Sequence, residues 1–363
     1  MRVLIATGGT GGHIYPSIAV ARAFERCCKE TEILFTITGK EIEVDILSKE
    51  GFKAKSVPAS IWYRRGFCKN LIGCGKILWG VVLSVLILVR FKPDILLLMG
   101  GYMSVPVALA GCLTRRPMIV HEQNLLPGMA VRLLSRFADR VAVSYADTLS
   151  YLPERVRKKA VVTGNPVRYS KDEVADSGVL QRDTLLVFGG SQGASVINDV
   201  MIEVLKGLRN SGVKMKVLFV TGKRDFDRVS QILRRLTLDF VEVVPYCYNM
   251  ADAMSKSRLV VSRAGASTVS ELAFWGRASI LIPFGRATDD HQYFNARVLE
   301  RRGAALVIRE EELTPSKLLE SIVDLFSDAD KIASMEMAAR EVCVPDAAEN
   351  VVRLAKEVSS TVG

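Results

Sequence analysis

Histidine occurs three times in this chain, at positions 13, 121 and 291, and each is expected in a loop at the end of a strand. Imidazole has an ordinary pKa of about 6.5, so a histidine in such a loop suits proton transfer near neutral pH. Its plainer role is to satisfy the turn with a hydrogen bond. None of the three has the paired spacing of a zinc site. His13 lies in GGTGGHIYP, Gly8 to Pro16, between the apolar run Val3-Leu4-Ile5-Ala6 and Ile14, Ile18, Ala21 and Phe24, which share one helix face. A strand therefore runs through four glycines into a helix. Backbone without Cβ atoms turns tightly and approaches a ligand closely, and the N–H groups at a helix start favour phosphate or developing negative charge. A bare tight turn is the competing reading.

His121-Glu122-Gln123-Asn124, ahead of Pro127-Gly128, sets four polar side chains at a strand terminus. They read either as turn chemistry or as a hydrogen-bonding cluster for hydroxyls and amides. GGSQGAS, Gly189 to Ser195, repeats the opening device after the apolar run Thr184 to Phe188. A third glycine element spans Arg263 to Glu271. There Thr268 and Glu271 have capping-box spacing, yet a carboxylate one turn inside a helix also accepts two hydrogen bonds from a vicinal diol such as ribose. Spacing leaves those readings equal. A dinucleotide fingerprint is not met: Ile14 stands where the third glycine belongs, and Glu41 and Glu43 come too late after the second strand. No Walker lysine follows a glycine loop, and the one D-x-D triplet, Asp328 to Asp330, is weak evidence for a metal.

The elements that must position these residues alternate between strand and helix. Strands are expected at 33–38, 54–57, 94–99, 118–120 and 140–143, then at 184–188, 216–220, 240–244, 259–262 and 279–282, with a helix over Glu41 to Lys49. Continuous apolar runs such as Ile95 to Met99 are typical of parallel strands buried on both faces. The expectation is an α/β protein of two Rossmann-like, doubly wound parallel-sheet domains facing across a cleft. Ligands in such sheets bind beyond the carboxyl ends of the strands. The boundaries fall at 1–163, a linker over 164–183 that opens with Gly-Asn-Pro, and 184–363. Residues 347–359 read as a terminal helix that packs on either domain.

At 363 residues, two domains of ordinary size are expected. Seven cysteines without a C-x-x-C pair point to a reducing, cytoplasmic setting with no structural metal, and the early strand leaves no room for a secretory signal. The net charge of +10 is unevenly spread: Gly51 to Pro93 holds eight Lys or Arg (Lys53, Lys55, Arg64, Arg65, Lys69, Lys76, Arg90 and Lys92) and no acid. Leu71 to Val89 is almost wholly apolar. A basic, acid-free segment joined to an apolar helix suits an anionic lipid surface. The unbroken run Ile77 to Val89 is shorter than the roughly 20 residues a membrane span needs. A core helix is the alternative. Nucleic acid is disfavoured, because the basic residues alternate with aliphatics rather than with stacking aromatics.

Taken together, GGTGGHIYP (8–16), GGYMSVP (100–106), HEQN (121–124), GNPVR (164–168), GGSQGA (189–194), AGASTVSE (264–271) and DDHQYFNA (289–296) resemble the MurG family of bacterial peptidoglycan glycosyltransferases. The resemblance spans both halves in order. It implies a GT-B fold and inverting transfer of N-acetylglucosamine from UDP-N-acetylglucosamine to lipid I, giving lipid II for cell-wall growth, cell shape and division. It implies peripheral attachment to the cytoplasmic face of the inner membrane, an acceptor-binding, membrane-facing first domain, a UDP-sugar donor second domain and no cofactor. Donor contacts then fall on Thr10, Gly11, Gly12, Asn124, Arg168, Ser191, Cys247, Ala266, Ser267, Thr268, Val269, Ser270, Glu271, His291 and Gln292, with Glu271 on the ribose diol. Tyr102, His121 and Glu122 fall on the acceptor side. His13 is the first choice of general base and Glu122 its rival. Val131 and Cys247-Tyr248-Asn249 depart from the family's usual residues. A different UDP-sugar glycolipid transferase, a UDP-sugar epimerase and a non-catalytic nucleotide-sugar adaptor are the other readings.

Overall fold

The computed structural model describes the chain apart from positions 10, 29, 61–66, 171–172, 175–181, 191, 286 and 363, and apart from the side chains of 11, 67–71, 288, 361 and 362. Thr10, Ser191, Arg64 and Arg65 thus lie outside the described residues, as does the side chain of Lys69. The chain forms two compact units, 1–168 with 344–363, and 169–343.

The first unit runs β1 (Arg2–Ala6), α1 (Gly11–Cys27), β2 (Glu32–Ile37), α2 (Glu41–Lys49), β3 (Ala54–Ser56), α3 (Phe67–Phe91), β4 (Ile95–Leu98), α4 (Ser104–Leu113), β5 (Met118–Glu122), α5 (Met129–Leu134), β6 (Arg140–Val143), α6 (Glu154–Arg157) and β7 (Ala160–Val162). Its strands are all parallel, in the order β3-β2-β1-β4-β5-β6-β7. Helices cover both faces, which is why the central strands are apolar throughout. Val3, Ile5, Ile95 and Leu97 pack with Ile14, Ile18 and Phe24 of α1, while Leu4, Ala6, Leu96 and Leu98 pack with Leu88, Val107 and Ala110 of α3 and α4.

The second unit runs β8 (Thr184–Phe188), α7 (Ser195–Asn210), β9 (Lys216–Val220), α8 (Phe226–Leu236), β10 (Val241–Val244), α9 (Met250–Lys256), β11 (Ser257–Ser262), α10 (Ala266–Trp275), β12 (Ala278–Leu281), α11 (His291–Glu300), β13 (Ala305–Val307), α12 (Pro315–Ser327) and α13 (Ala329–Val342). Its parallel order is β10-β9-β8-β11-β12-β13. The last helix, α14 (Ala347–Val362), belongs to the first unit. Its Val351, Val352, Ala355 and Val358 join the core under α1, and Arg26 pairs with Glu349 at 2.7 Å. In each sheet the order reverses once, between β1 and β4 and between β8 and β11. Ligands of such sheets collect at that switch point. The glycine turns after β1, β4 and β8, and the loop after β11, all open there.

Several local expectations are corrected. His121 is not in a loop: it is the fourth residue of β5 and 1% exposed. His13 sits in the first turn of α1, and His291 opens α11. The edge strands β7 and β13 were not expected; at three residues each, they are too short to register as a period. Asp328 of the D-x-D triplet caps α13, its Oδ1 accepting from the Lys331 N–H at 2.9 Å, and no metal-ligating cluster occurs among the described residues.

The apolar segment forms a longer helix than its unbroken run suggested. α3 has 25 residues, and 72–91 is long and apolar enough to cross a membrane, so length does not decide the matter. Topology does. The chain enters α3 from β3 and leaves it into β4, and both strands belong to one hydrogen-bonded sheet. A helix whose two ends are tied to the same sheet lies along it rather than through a bilayer. Gly80 allows the close packing: a Cβ there would come within 2.1 Å of the Pro58 carbonyl oxygen and 3.1 Å of Pro106 Cβ on α4.

Two buried polar groups brace the switch point of the first unit. Glu43, fully buried on α2, accepts from the Gly9 N–H at 2.7 Å, the Thr38 N–H at 2.9 Å, the Gly39 N–H at 3.1 Å and the Thr38 hydroxyl at 2.7 Å. It ties the turns after β1 and β2 together. The His121 Nε2 lies 3.0 Å from the Gly164 carbonyl. Burial, partly opposed by that hydrogen bond, pushes the His121 pKa down to about 4.

Glu43→Ala leaves three backbone N–H groups without their acceptor and is expected to cost roughly 3 kcal/mol in denaturant unfolding of the first unit; a loss under about 1 kcal/mol contradicts the brace. His121 stays neutral in the folded chain below its unfolded pKa, so the unfolded chain takes up the extra proton. Its stabilising contribution is intact above about pH 6.5 and is lost as pH falls towards 4, on the order of 3 kcal/mol in all. The stability gap between wild type and His121→Asn should therefore narrow across that window; a gap that stays constant contradicts the assignment.

Candidate active site

In the first unit, the carboxyl ends of β1, β4 and β5 bring together His13, Tyr102, His121, Glu122 and Asn124. Gly8 and Gly9 have φ of +150° and +94°, which lets the chain leave β1 and begin α1 at Gly11 and Gly12. The Gly9 N–H is committed to Glu43, so it does not face a ligand. A Cβ on Gly9 would lie 4.0 Å from the Tyr102 ring, and one on Gly101 3.6 Å from His13 Nε2. The two glycine turns thus pack His13 and Tyr102 against each other's backbone.

His13 Nδ1 is 3.0 Å from Gln123 Oε1, and Gln123 Nε2 is 3.1 Å from His121 Nδ1. Glu122 is buried, and both its oxygens are occupied. Oε1 accepts from the Asn124 N–H at 2.9 Å and the Asn124 side-chain amide at 3.0 Å, and Oε2 accepts from the Gly128 N–H at 2.8 Å. Burial raises its pKa against the pull of those donors. Glu122 therefore shapes the loop and aims Asn124. Arg168, exposed at the end of the unit, stacks over Tyr15 of α1 at 4.5 Å.

In the second unit, Gly193 has φ of +76°, and a Cβ there would strike the Thr221 carbonyl at 2.3 Å. Only glycine lets the turn after β8 cross the end of β9 so closely. α7 then starts at Ser195. After β11 the chain enters α10 through Gly265, which is the N-cap and has no side chain to cap with. Thr268 is the third residue of that helix, so the capping-box reading of Thr268 and Glu271 is wrong. Ala266, Ser267, Thr268, Val269, Ser270 and Glu271 form its first turns, with Glu271 buried.

Arg263 points away from this helix start: it donates to the Ile282 and Pro283 carbonyls and pairs with Glu310 at 2.5 Å. Gln292, beside His291 on α11, accepts from the Phe284 N–H at 3.1 Å, and Asn295 donates to the Ala264 carbonyl at 3.4 Å. Those bonds tie α11 to the loops that flank α10. Asp289 and Asp290 precede it at φ of +52° and +54°, a conformation uncommon for residues with a Cβ. Cys247 follows β10, three strands along the sheet from β11, and its neighbours Tyr246 and Tyr248 meet edge to face at 4.9 Å.

Sequence reasoning missed Gln123 and Glu43 as members of the site. Gln123 is legible in the sequence only as one of four polar residues, and Glu43 only as a carboxylate that comes too late for a dinucleotide fingerprint.

Positions 3–143 match the glycosyltransferase family 28 N-terminal domain and 184–351 the glycosyltransferase family 28 C-terminal domain. The chain is 37% identical over 369 residues to the UDP-N-acetylglucosamine–N-acetylmuramyl-(pentapeptide) pyrophosphoryl-undecaprenol N-acetylglucosamine transferase of Thermoanaerobacter sp. (strain X514), covering 99% of this chain and 100% of that one. It is 38% identical over 357 residues to the protein of the same name from Geobacter sulfurreducens, covering 97% of each. The crystal structure of Acinetobacter baumannii MurG is similar at a TM-score of 0.76 and 25% identity, covering 98% of this chain and 100% of that one. A UDP-GlcNAc 2-epimerase from Neisseria meningitidis shares the fold at a TM-score of 0.69 and 16% identity, covering 98% of this chain and 100% of that one. With both family 28 domains in order and near-complete coverage at these identities, the chain belongs to the MurG family of glycosyltransferases and has its GT-B fold.

Proposed function

We propose that the chain transfers N-acetylglucosamine from UDP-N-acetylglucosamine to lipid I, with inversion at the sugar carbon, to give lipid II. The observation that carries this reading is the near-full-length identity to transferases named for that reaction. The acceptor hydroxyl loses a proton as it attacks, and UDP leaves with added negative charge. His13 is the base in this reading. It stands at a glycine-lined switch point, whereas the Glu122 carboxylate is fully occupied by three N–H donors. Tyr102 and His121 belong to the acceptor side, His121 as part of the wall behind His13.

The donor reading assigns the diphosphate to the helix starts at Ser195 and Ala266, where the positive end of each helix dipole favours negative charge. Arg168 adds a positive charge, Glu271 accepts from the ribose diol, and Cys247 lies at the uracil. Gln292 with His291, Asn124 and the backbone at Thr10, Gly11 and Gly12 complete the sugar contacts, and Ser191 joins the phosphate side.

Lipid I is anchored in a bilayer, and the first unit offers a surface for it. Ile72, Trp79, Val82, Leu86 and Val89 form one exposed stripe along α3, with Trp79 57% exposed. Leu109 and Leu113 of α4, and Met129, Leu133 and Phe137 beyond, extend the apolar exposure, and Lys76, Arg90 and Lys92 supply charge. Apolar insertion combined with basic residues holds a peripheral protein on anionic lipid. In this reading the chain works at the cytoplasmic face of the membrane.

Three measurements test these readings. Labelled UDP-N-acetylglucosamine incubated with lipid I should put label into lipid; label in an isomerised nucleotide, or nowhere, contradicts the transferase reading. His13→Ala should lower turnover by about a hundredfold or more, the usual worth of a general base, with folding intact; near-normal turnover removes His13 from that role. Trp79→Glu with Leu86→Glu should cut partition onto anionic vesicles at least about tenfold, since each buried apolar side chain is worth about 1.5–3 kcal/mol; unchanged binding places the membrane surface elsewhere.

A further inference from the structure

We infer that Gln123 is a positioning residue that sets the tautomer of His13, placing the proton of the neutral ring on Nδ1 and its basic lone pair on Nε2. The inference rests on the reading of His13 as the base, and it assigns a role to a side chain that touches neither sugar nor phosphate in that reading.

Two backbone carbonyls, those of Met99 and Gly164, fix where the hydrogens lie. Met99 follows β4, and its N–H donates to the Ala6 carbonyl at 2.9 Å, so its own carbonyl is fixed at the switch between β1 and β4. The buried Gln123 amide nitrogen lies 3.1 Å from that carbonyl. A carbonyl only accepts, so the amide NH2 must face it. The reverse orientation would set two oxygens against each other. Gln123 Oε1 is thereby turned to His13 Nδ1, 3.0 Å away, and because this oxygen also only accepts, Nδ1 must carry the hydrogen. A neutral imidazole has one N–H, which leaves the lone pair on Nε2.

The second hydrogen of the same amide meets His121 Nδ1 at 3.1 Å, so that nitrogen accepts. His121 Nε2 then donates to the Gly164 carbonyl at 3.0 Å. Each donor in the series has one acceptor, and the two histidines are held in opposite tautomers. Burial keeps His121 neutral, with a pKa of about 4, so the series does not reverse near neutral pH.

Gly100 makes room for the contact. Its φ is +77°, and a Cβ there would stand 3.1 Å from Gln123 Oε1 and 3.3 Å from His13 Cε1. When His13 takes the acceptor's proton on Nε2, its Nδ1–H keeps the same bond to Gln123. The ring thus becomes an imidazolium without rotating, and the amide oxygen stabilises the charge.

The test uses the small number of histidines. Full-length protein labelled with ¹⁵N in its imidazoles gives three ring patterns in two-bond ¹H–¹⁵N spectra at pH 8, and His13→Ala identifies its own. His13 should show a protonated Nδ1 and a bare Nε2, and His121 the reverse. Gln123→Met removes the acceptor at similar volume. It should move His13 to the other tautomer or to an average, and lower kcat at least about tenfold with KM for UDP-N-acetylglucosamine within about twofold. A wild-type His13 with its proton on Nε2, or a His13 pattern unchanged in Gln123→Met, overturns the inference. A tautomer change in Gln123→Met with unchanged turnover supports the positioning by Gln123 and overturns His13 as the base.

Discussion

In each parallel sheet the strand order turns back once, and at that point the carboxyl ends of two neighbouring strands are left without a helix crossing above them. Backbone groups there have no ladder or helix to pair with, and unpaired polar groups in a protein interior cost several kcal/mol. In the first unit the debt falls on the turns after β1 and β4. Glu43 reaches up from α2 to collect the N–H groups of Gly9, Thr38 and Gly39, and Gln123 reaches across from the end of β5 to the Met99 carbonyl. Both side chains are buried and both are held by backbone. What stands above them, His13 and Tyr102, inherits that rigidity.

The second unit solves the same problem with glycine and with short polar ties. Gly193 crosses the end of β9 at a distance that no Cβ allows, and Gly265 starts α10 without a capping side chain. Asn295 and Gln292 fasten α11 to the flanking loops. Arg263, the charged residue nearest the turn in sequence, is spent on carbonyls and on Glu310, so the positive character of this turn comes from helix N–H groups rather than from a guanidinium.

Much of this was legible in the residues alone. The continuous apolar runs of β1, β4 and β8 mark central parallel strands, and each is followed by glycines at positive φ, Gly8 and Gly9, Gly100 and Gly101, and Gly190 and Gly193, where the chain turns tightly at the strand end. Other features were hidden for physical reasons. β7 and β13 are edge strands of three residues, held by pairing rather than by pattern. His121 lies inside β5 because a neutral imidazole with both nitrogens bonded is tolerated in a core, which composition does not reveal. Thr268 and Glu271 have the spacing of a capping box but sit inside the helix, since Gly265, and not Thr268, is its N-cap. The side of α3 that faces solvent also follows from tertiary packing, as its sequence is apolar all round.

The central claim is that the turns at the sheet reversals hold the substrates. Amide hydrogen exchange of the whole chain with and without UDP tests it most directly, because helix-start amides exchange freely until something accepts their hydrogens. The account predicts slowed exchange concentrated in 189–195 and 264–271, with the interior of the second sheet little changed. Protection confined to other loops, with those two segments exchanging as fast as before, would contradict it.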